Sequence, residues 1–104
     1  MRLYELALAR SGDKGNHANI GVLARSAEAY SWLCHYLTAE RVAEYFRYLE
    51  PRKVDRYLAP NIWGLNFVLY NVLAGGAARS LRLDSQGKAL ASALLEMAIE
   101  ELPP

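Results

Sequence analysis

Charged and amide side chains are concentrated in one short stretch, residues 10–19, between two apolar runs. Glycines in this stretch would let successive backbone N–H groups converge into a concave nest that binds an anion. Arg10 would add a planar guanidinium beside the nest and Lys14 a mobile point charge, and Asp13 could accept a loop N–H. The candidate ligand-binding residues of this predicted loop are Arg10, Ser11, Gly12, Asp13, Lys14, Gly15 and Asn19.

A second interpretation of the same stretch is purely structural. Its residues would then do no more than fold a long hairpin connection tightly. The stretch lacks the G-x-x-x-x-G-K-[ST] spacing of a nucleotide P-loop, and no G-x-G-x-x-G follows it. Nucleotide binding is therefore not favoured.

His17 lies in the predicted loop and could act as a general base beside Asp13, because histidine titrates near neutral pH. No serine or cysteine nucleophile stands at a spacing that indicates a triad, so catalysis by this pair is not the favoured interpretation. His35 lies beside the buried stripe of a predicted helix and is interpreted as a surface residue.

Two further groups of residues could contact a ligand. Gly75 and Gly76 with Arg79 would combine exposed N–H groups with a guanidinium fork, although for the two glycines alone a simple helix end before a strand is the favoured explanation. Asn66 lies in an apolar segment, where a buried amide needs hydrogen-bond partners. It either lines a ligand pocket or bonds to neighbouring parts of the fold.

The size and charge of the chain limit the classes of function. The 104 residues form one predicted domain, residues 1–104, and twelve Lys and Arg against eleven Asp and Glu leave a net charge of +1. This balance gives no long-range field for nucleic acid or an anionic membrane, so we expect neither as a partner. One cysteine excludes an internal disulfide, and with two histidines it falls short of a zinc set unless carboxylates or a second chain contribute ligands. We expect no metal or cofactor, and a cytoplasmic location.

The hydrophobic pattern predicts alternating strands and helices. Strands are expected at residues 3–9, 20–24, 54–58 and 80–83. A helix is the competing assignment for residues 20–24, and the third strand is expected to be weak or at an edge. Ser26 and Thr38 are predicted N-caps of either one bent helix or two helices. Residues 62–73, apolar nearly all round, predict a buried helix, and a last helix would place Ala91, Leu94, Leu95, Ala98 and Leu102 on one face. This order predicts an α+β or α/β sandwich, with one mixed four-stranded sheet and helices packed on it.

Several motifs together resemble the small C-terminal domain of the acyclic terpene utilisation protein A (AtuA) family. The matching segments include the block Arg10-Ser11-Gly12-Asp13-Lys14-Gly15, Ala18-Asn19-Ile20-Gly21-Val22, Leu65-Asn66-Phe67-Val68-Leu69, and Gly75-Gly76 followed by Ser80-Leu81-Arg82-Leu83-Asp84. The resemblance implies a ferredoxin-like two-layer α+β sandwich, attached to or encoded beside a much larger N-terminal domain. It also implies a link to the catabolism of branched terpenoids through acyl-CoA intermediates, but it brings no catalytic residue.

The favoured expectation is an accessory subunit that forms a homo-oligomer or docks on a large AtuA-like partner. Its loop at Asp13 and Lys14 would contribute to a site for an anionic small molecule, an acyl-CoA or a carboxylate. Two alternatives stay open. One is a small lyase or hydratase that uses His17 and Asp13, and the other is a purely structural oligomer.

Overall fold

The computed structural model describes residues 1–72 and 90–100. Four strands and two helices are defined there: β1 Ala7–Lys14, β2 His17–Ala24, α1 Ala27–Tyr36, α2 Ala39–Tyr45, β3 Val54–Ala59 and β4 Gly64–Leu69. Short 3-10 turns occupy Leu3–Glu5, Arg47–Leu49 and Pro60–Ile62, and residues 90–95 are helical. The predicted strand at 80–83 and the candidate residues Gly75, Gly76 and Arg79 lie outside the described residues.

The described strands form one sheet in the order β1-β2-β4-β3, and every neighbouring pair is antiparallel. The predicted α+β sandwich is confirmed, with β3 at an end of this sheet as expected. The prediction of a mixed sheet is wrong for the described strands. Tight connections explain the difference, because β1 joins β2 and β3 joins β4 through short turns, and such turns produce antiparallel neighbours.

The predicted loop over residues 10–19 is wrong. Strands β1 and β2 pair without interruption from Ala7 with Ala24 to Lys14 with His17. Only Gly15 and Asn16 remain as the turn, and Gly15 has the positive φ of 63° that a two-residue hairpin turn favours. The physical reason is hydrogen bonding, since a long loop would leave the N–H and C=O groups of residues 10–14 without the partners that residues 17–21 supply.

The predicted buried helix over residues 62–73 is also wrong where the structure describes it. Gly64–Leu69 is strand β4, which pairs with β2 on one side and β3 on the other. Leu65, Phe67 and Leu69 are buried. A central strand in a covered position is apolar along its length, and a short apolar run of this kind does not distinguish a strand from a buried helix.

Both predicted helix N-caps are confirmed. The Ser26 hydroxyl accepts a hydrogen bond from the Ala29 N–H at 3.0 Å, and the Thr38 hydroxyl accepts one from the Arg41 N–H at 3.1 Å. The backbone leaves the helical region at Leu37, with φ −91° and ψ 76°. The segment therefore forms two helices joined at Leu37 and Thr38, which resolves the alternative between one bent helix and two.

The last helix is shorter than predicted. Residues 90–95 are helical, but Ala98 pairs with Arg2 in an antiparallel bridge. The backbone around this bridge is held by two more hydrogen bonds, from Leu3 N–H to the Met97 carbonyl at 3.0 Å and from Ile99 N–H to the Met1 carbonyl at 2.8 Å. Pairing with the N-terminal segment thus replaces helical hydrogen bonds beyond residue 95, and Leu102 lies outside the described residues.

One face of the sheet carries the core. The buried side chains of the helices and of β2 and β4 belong to a single cluster that includes Leu33, Val42, Phe46, Ile20 and Phe67. Because side chains alternate along a strand, the other set of β1, β2 and β4 residues points to the opposite side. We call that side the open face; its members are Leu8, Arg10, Gly12, Asn19, Gly21, Leu23, Gly64, Asn66, Val68 and, on β3, Asp55, Tyr57 and Ala59.

Replacing Ser26 with alanine is expected to lower the free energy of unfolding by about 1 kcal/mol, because the Ala29 N–H loses its capping partner. Urea denaturation of both proteins measures this difference. Ser31→Ala is the matched control, since Ser31 is exposed within α1 and alanine is the better helix former. An equal loss in both variants would contradict a capping role for Ser26.

Candidate functional site

The strands divide the predicted anion-binding residues between the two sides of the sheet. Arg10, Gly12 and Asn19 lie on the open face, whereas Ser11 and Asp13 lie on the helix side, opposite buried Ile20 and Ala18. Because neighbouring residues of a strand point in opposite directions, these groups do not converge into the predicted nest. Gly15 is in the hairpin turn, and the Lys14 side chain falls outside the described part of the structure.

Ser11 has a structural role on the helix side. Its hydroxyl accepts a hydrogen bond from the Ala91 N–H at 3.2 Å, at the beginning of the described part of the last helix. Ser11 therefore connects β1 to the last helix, and Asp13 is exposed at the hairpin end of β1.

Arg10 and Asn66 are brought together on the open face. The register aligns Arg10, Gly21, Asn66 and Tyr57 in one row across β1, β2, β4 and β3. A cavity of about 360 Å³ lies at this row; its lining residues are Leu8, Ala9, Arg10, Gly21, Val22, Leu23, Ala59, Ile62, Gly64, Leu65 and Asn66. This cavity, which we call the Gly21 pocket, is thus apolar with two polar side chains at one row.

The Gly21 pocket is almost wholly apolar, and Arg10 is the charged residue among its described lining residues. Arg10 is exposed, and its guanidinium makes no hydrogen bond or ion pair with any residue in the described ranges 1–72 and 90–100. The other described lining residues carry no charge. Arg10 therefore gives this mostly apolar pocket a guanidinium that has no partner among the described residues, and a guanidinium suits a carboxylate.

His17 is held by the fold rather than paired with Asp13. Its Nδ1 accepts a hydrogen bond from the Asn71 N–H at 3.1 Å, and its ring meets the Tyr70 ring edge-on at 4.7 Å between centroids. His17 also lies on the open-face side, away from Asp13. The predicted arrangement of His17 as a base beside Asp13 is therefore wrong, since alternation separates them and Nδ1 is already occupied.

A polar cluster lies on the open face, toward the end of the sheet that carries the turn between β1 and β2. The Tyr57 hydroxyl donates to Asp55 Oδ2 at 3.4 Å, and Lys53 Nζ lies 3.6 Å from the same oxygen. Lys53 Nζ also sits 4.7 Å above the centroid of the Tyr70 ring. The open face thus changes from apolar at the Gly21 pocket to charged and hydroxyl-bearing at β3 and the end of β4.

Comparison with models of known protein families identifies the family of this domain. The family model described as the AtuA ferredoxin-like domain matches residues 1–100. The chain belongs to this family. The ferredoxin-like sandwich and the AtuA relationship expected from the sequence motifs are confirmed. No curated protein and no solved structure shows a significant match to the chain.

The described part of this AtuA ferredoxin-like domain contains neither a membrane-spanning helix nor a cluster of metal ligands. Among the described residues, no helix has the length and apolar character needed to cross a membrane. Within the same residues, no group of three or more histidine, cysteine, aspartate or glutamate side chains is placed to hold a metal ion.

Sequence reasoning missed the apolar part of the Gly21 pocket. The sequence pattern places Leu8, Leu23 and Ile62 in predicted strands or a predicted helix but does not show that they are exposed, because their exposure depends on which side of the sheet the helices cover. Gly21 is a feature of the sequence that could have indicated the pocket. A glycine between Ile20 and Val22, inside an apolar strand, often marks a close approach of a ligand or of another backbone.

Tyr70 in this domain is expected to ionise last among its tyrosines. Hydrogen bonding with Tyr57, together with burial and the nearby Asp55, raises the pKa of Tyr70 to about 12 from its ordinary 10.0. The neutral phenol is thus favoured by the folded state, so this contribution to stability is complete below pH 10 and is lost as the pH rises through about 12. Ultraviolet titration should show a late tyrosinate transition that disappears in Tyr70→Phe and remains in Tyr48→Phe. A late transition in both variants would contradict the assignment.

Proposed function

We propose that this domain is an accessory subunit that docks, through the open face of its sheet, on a large AtuA-like partner. The pair would act in the cytoplasm in the catabolism of branched terpenoids through acyl-CoA intermediates. An anionic small molecule, an acyl-CoA or a carboxylate, would lie at this face between the two proteins. Family membership and the surface chemistry of the open face support the proposal.

The exposed apolar side chains of the open face are the observation on which the docking rests. Leu8, Leu23, Tyr57 and Ile62 have exposed fractions between 42% and 59%. Leu8 and Leu23 are direct cross-strand neighbours, and both line the same pocket as Ile62. Contiguous apolar surface of this kind marks interaction sites on soluble proteins. Covering it would gain on the order of 25 cal/mol for each Å² of apolar surface removed from water.

The alternative of a small lyase or hydratase loses the residue pair on which it depended, since His17 and Asp13 are separated by the sheet. A homo-oligomer would use the same open face, with a second copy in place of the large partner. The two assemblies differ in composition, so one set of variants separates them.

The experiment is co-purification of the full chain with a large AtuA-like protein. Leu8→Glu places a charge on the open face, and Tyr48→Glu is the matched control because Tyr48 is 62% exposed in the 3-10 turn Arg47–Leu49, away from the sheet. We expect Leu8→Glu to weaken the complex at least about tenfold, which is within the range of a central interface residue. Tyr48→Glu should bind like the parent protein.

Circular dichroism of each variant should show that the fold is retained. Equal recovery of the partner with both variants would overturn docking through the open face. A chain that assembles only with itself, in light scattering with and without the large protein, would overturn the accessory role.

A further inference from the structure

Gly21 is a glycine that neither backbone conformation nor packing requires. It lies in β2, a central strand, where glycine costs roughly 0.5–1 kcal/mol relative to alanine. Among the described glycines only Gly15 has a positive φ, so Gly21 has a backbone that any residue adopts. A Cβ placed on Gly21 would lie 3.8 Å from Asn66 Oδ1 and 4.0 Å from the Arg10 carbonyl oxygen, which is ordinary contact.

Gly64 provides the contrast on the next strand. A Cβ at Gly64 would lie 3.3 Å from Ile62 Cγ1 and 3.5 Å from Leu23 Cδ2, so a side chain there would crowd its neighbours. No such crowding accounts for Gly21. The absence of a side chain at Gly21 leaves a space, and this space forms the floor of the Gly21 pocket.

We infer that the Gly21 pocket binds a small aliphatic carboxylate. The tail would lie over Gly21 and against Leu8, Leu23 and Ile62, and the carboxylate would face Arg10. This inference refines the anionic ligand of the proposed function. Its test uses this chain alone. Carboxylate binding can therefore fail while docking on the partner is confirmed, and docking can fail while carboxylate binding is confirmed.

Charge and size select this class of ligand. A guanidinium with no described partner can engage both oxygens of a carboxylate in its planar fork. The volume of about 360 Å³ is near the lower end of the 300–1,000 Å³ that is usual for ligand pockets. The pocket therefore suits an aliphatic acid rather than a whole coenzyme A ester.

Calorimetric titration of the full chain with octanoate, and separately with methyl octanoate, tests the inference. The parent protein should bind octanoate more tightly than the uncharged ester. Arg10→Gln should weaken octanoate binding roughly tenfold or more, as expected for a lost hydrogen bond to a charged group, and should leave ester binding unchanged. Arg47→Gln is the control, because Arg47 pairs with Glu44 in a highly exposed ion pair away from the open face.

Gly21→Val should abolish octanoate binding by filling the floor of the pocket, and Gly21→Ala, with one methyl group, should weaken it. Gly12→Val is the matched control, since Gly12 is a strand glycine on the same face, does not line the pocket, and has open space around its would-be Cβ. Thermal melting checks that each variant is folded. Absence of octanoate binding to the parent protein, equal binding in the Gly21 and Gly12 variants, or equal affinity for acid and ester would overturn the inference.

Discussion

Replacing Phe67 with alanine is expected to lower the free energy of unfolding by about 3–5 kcal/mol, the usual cost of deleting a buried aromatic side chain. Phe67 is fully buried at the centre of β4, where it stands opposite Ile20 on β2 and Arg56 on β3. The cavity left behind lies between the sheet and the helices, so neighbouring side chains can fill it only in part. Because small domains have a total stability of roughly 5–15 kcal/mol, this single change removes a large share of it.

Urea denaturation monitored by circular dichroism measures the Phe67 effect. Tyr48→Ala is the control, because Tyr48 is 62% exposed and truncating a surface side chain usually changes stability by less than about 0.5 kcal/mol. A loss below about 1 kcal/mol in Phe67→Ala would contradict the position of β4 at the centre of the core. It would favour an arrangement in which residue 67 faces water.

Removing the Arg56 side chain is expected to cost about 1.5–3 kcal/mol, as for other hydrogen bonds from a charged group. Arg56 Nη1 donates to the Cys34 carbonyl at 2.7 Å and to the Leu37 carbonyl at 2.9 Å. These carbonyls lie at the end of α1, where the helix has no further N–H groups to offer them. Arg56 therefore ties β3 to the C-terminal end of α1 and satisfies two acceptors at once.

Arg56→Met keeps much of the apolar stem of the side chain and deletes the donors, so its unfolding free energy isolates the two hydrogen bonds. Arg52→Met is the matched control, because Arg52 precedes the same strand, is exposed, and its side chain makes no hydrogen bond to a described residue. Equal stability of the two variants would show that the α1 carbonyls are served equally well by water.

Local chemistry explains which parts of the fold could be predicted from the sequence. Ser26 and Thr38 cap the helices that follow them, and a cap depends only on residues three positions away. The edge strand at Val54–Ala59 follows from its alternation in the same way. The Arg56 contacts could not be predicted, because they join residues about twenty positions apart that only the tertiary fold brings together.

The two incorrect predictions, of a buried helix and of a long loop, have a different physical origin. Residues 62–73 are apolar nearly all round, and periodicity alone does not separate a buried helix from a central strand such as β4. Residues 10–19 looked like a loop because glycine and charged residues are uncommon within strands, but an edge strand with one open side tolerates both. Arg10 of this stretch and Asn66 of the apolar segment, both predicted from the sequence as candidate ligand contacts, do share a pocket, through strand register rather than through loop conformation.

The order of the strands has a kinetic consequence. β1 with β2 and β3 with β4 are local hairpins, whereas the seam between β2 and β4 joins residues as distant as Ala18 and Leu69. Closing so long a segment of chain is slow compared with forming a hairpin, so the seam is expected to be the last part of the sheet to assemble. The Gly21 pocket takes its walls from both hairpins. A molecule bound there would therefore contact both hairpins and slow the separation of β2 from β4.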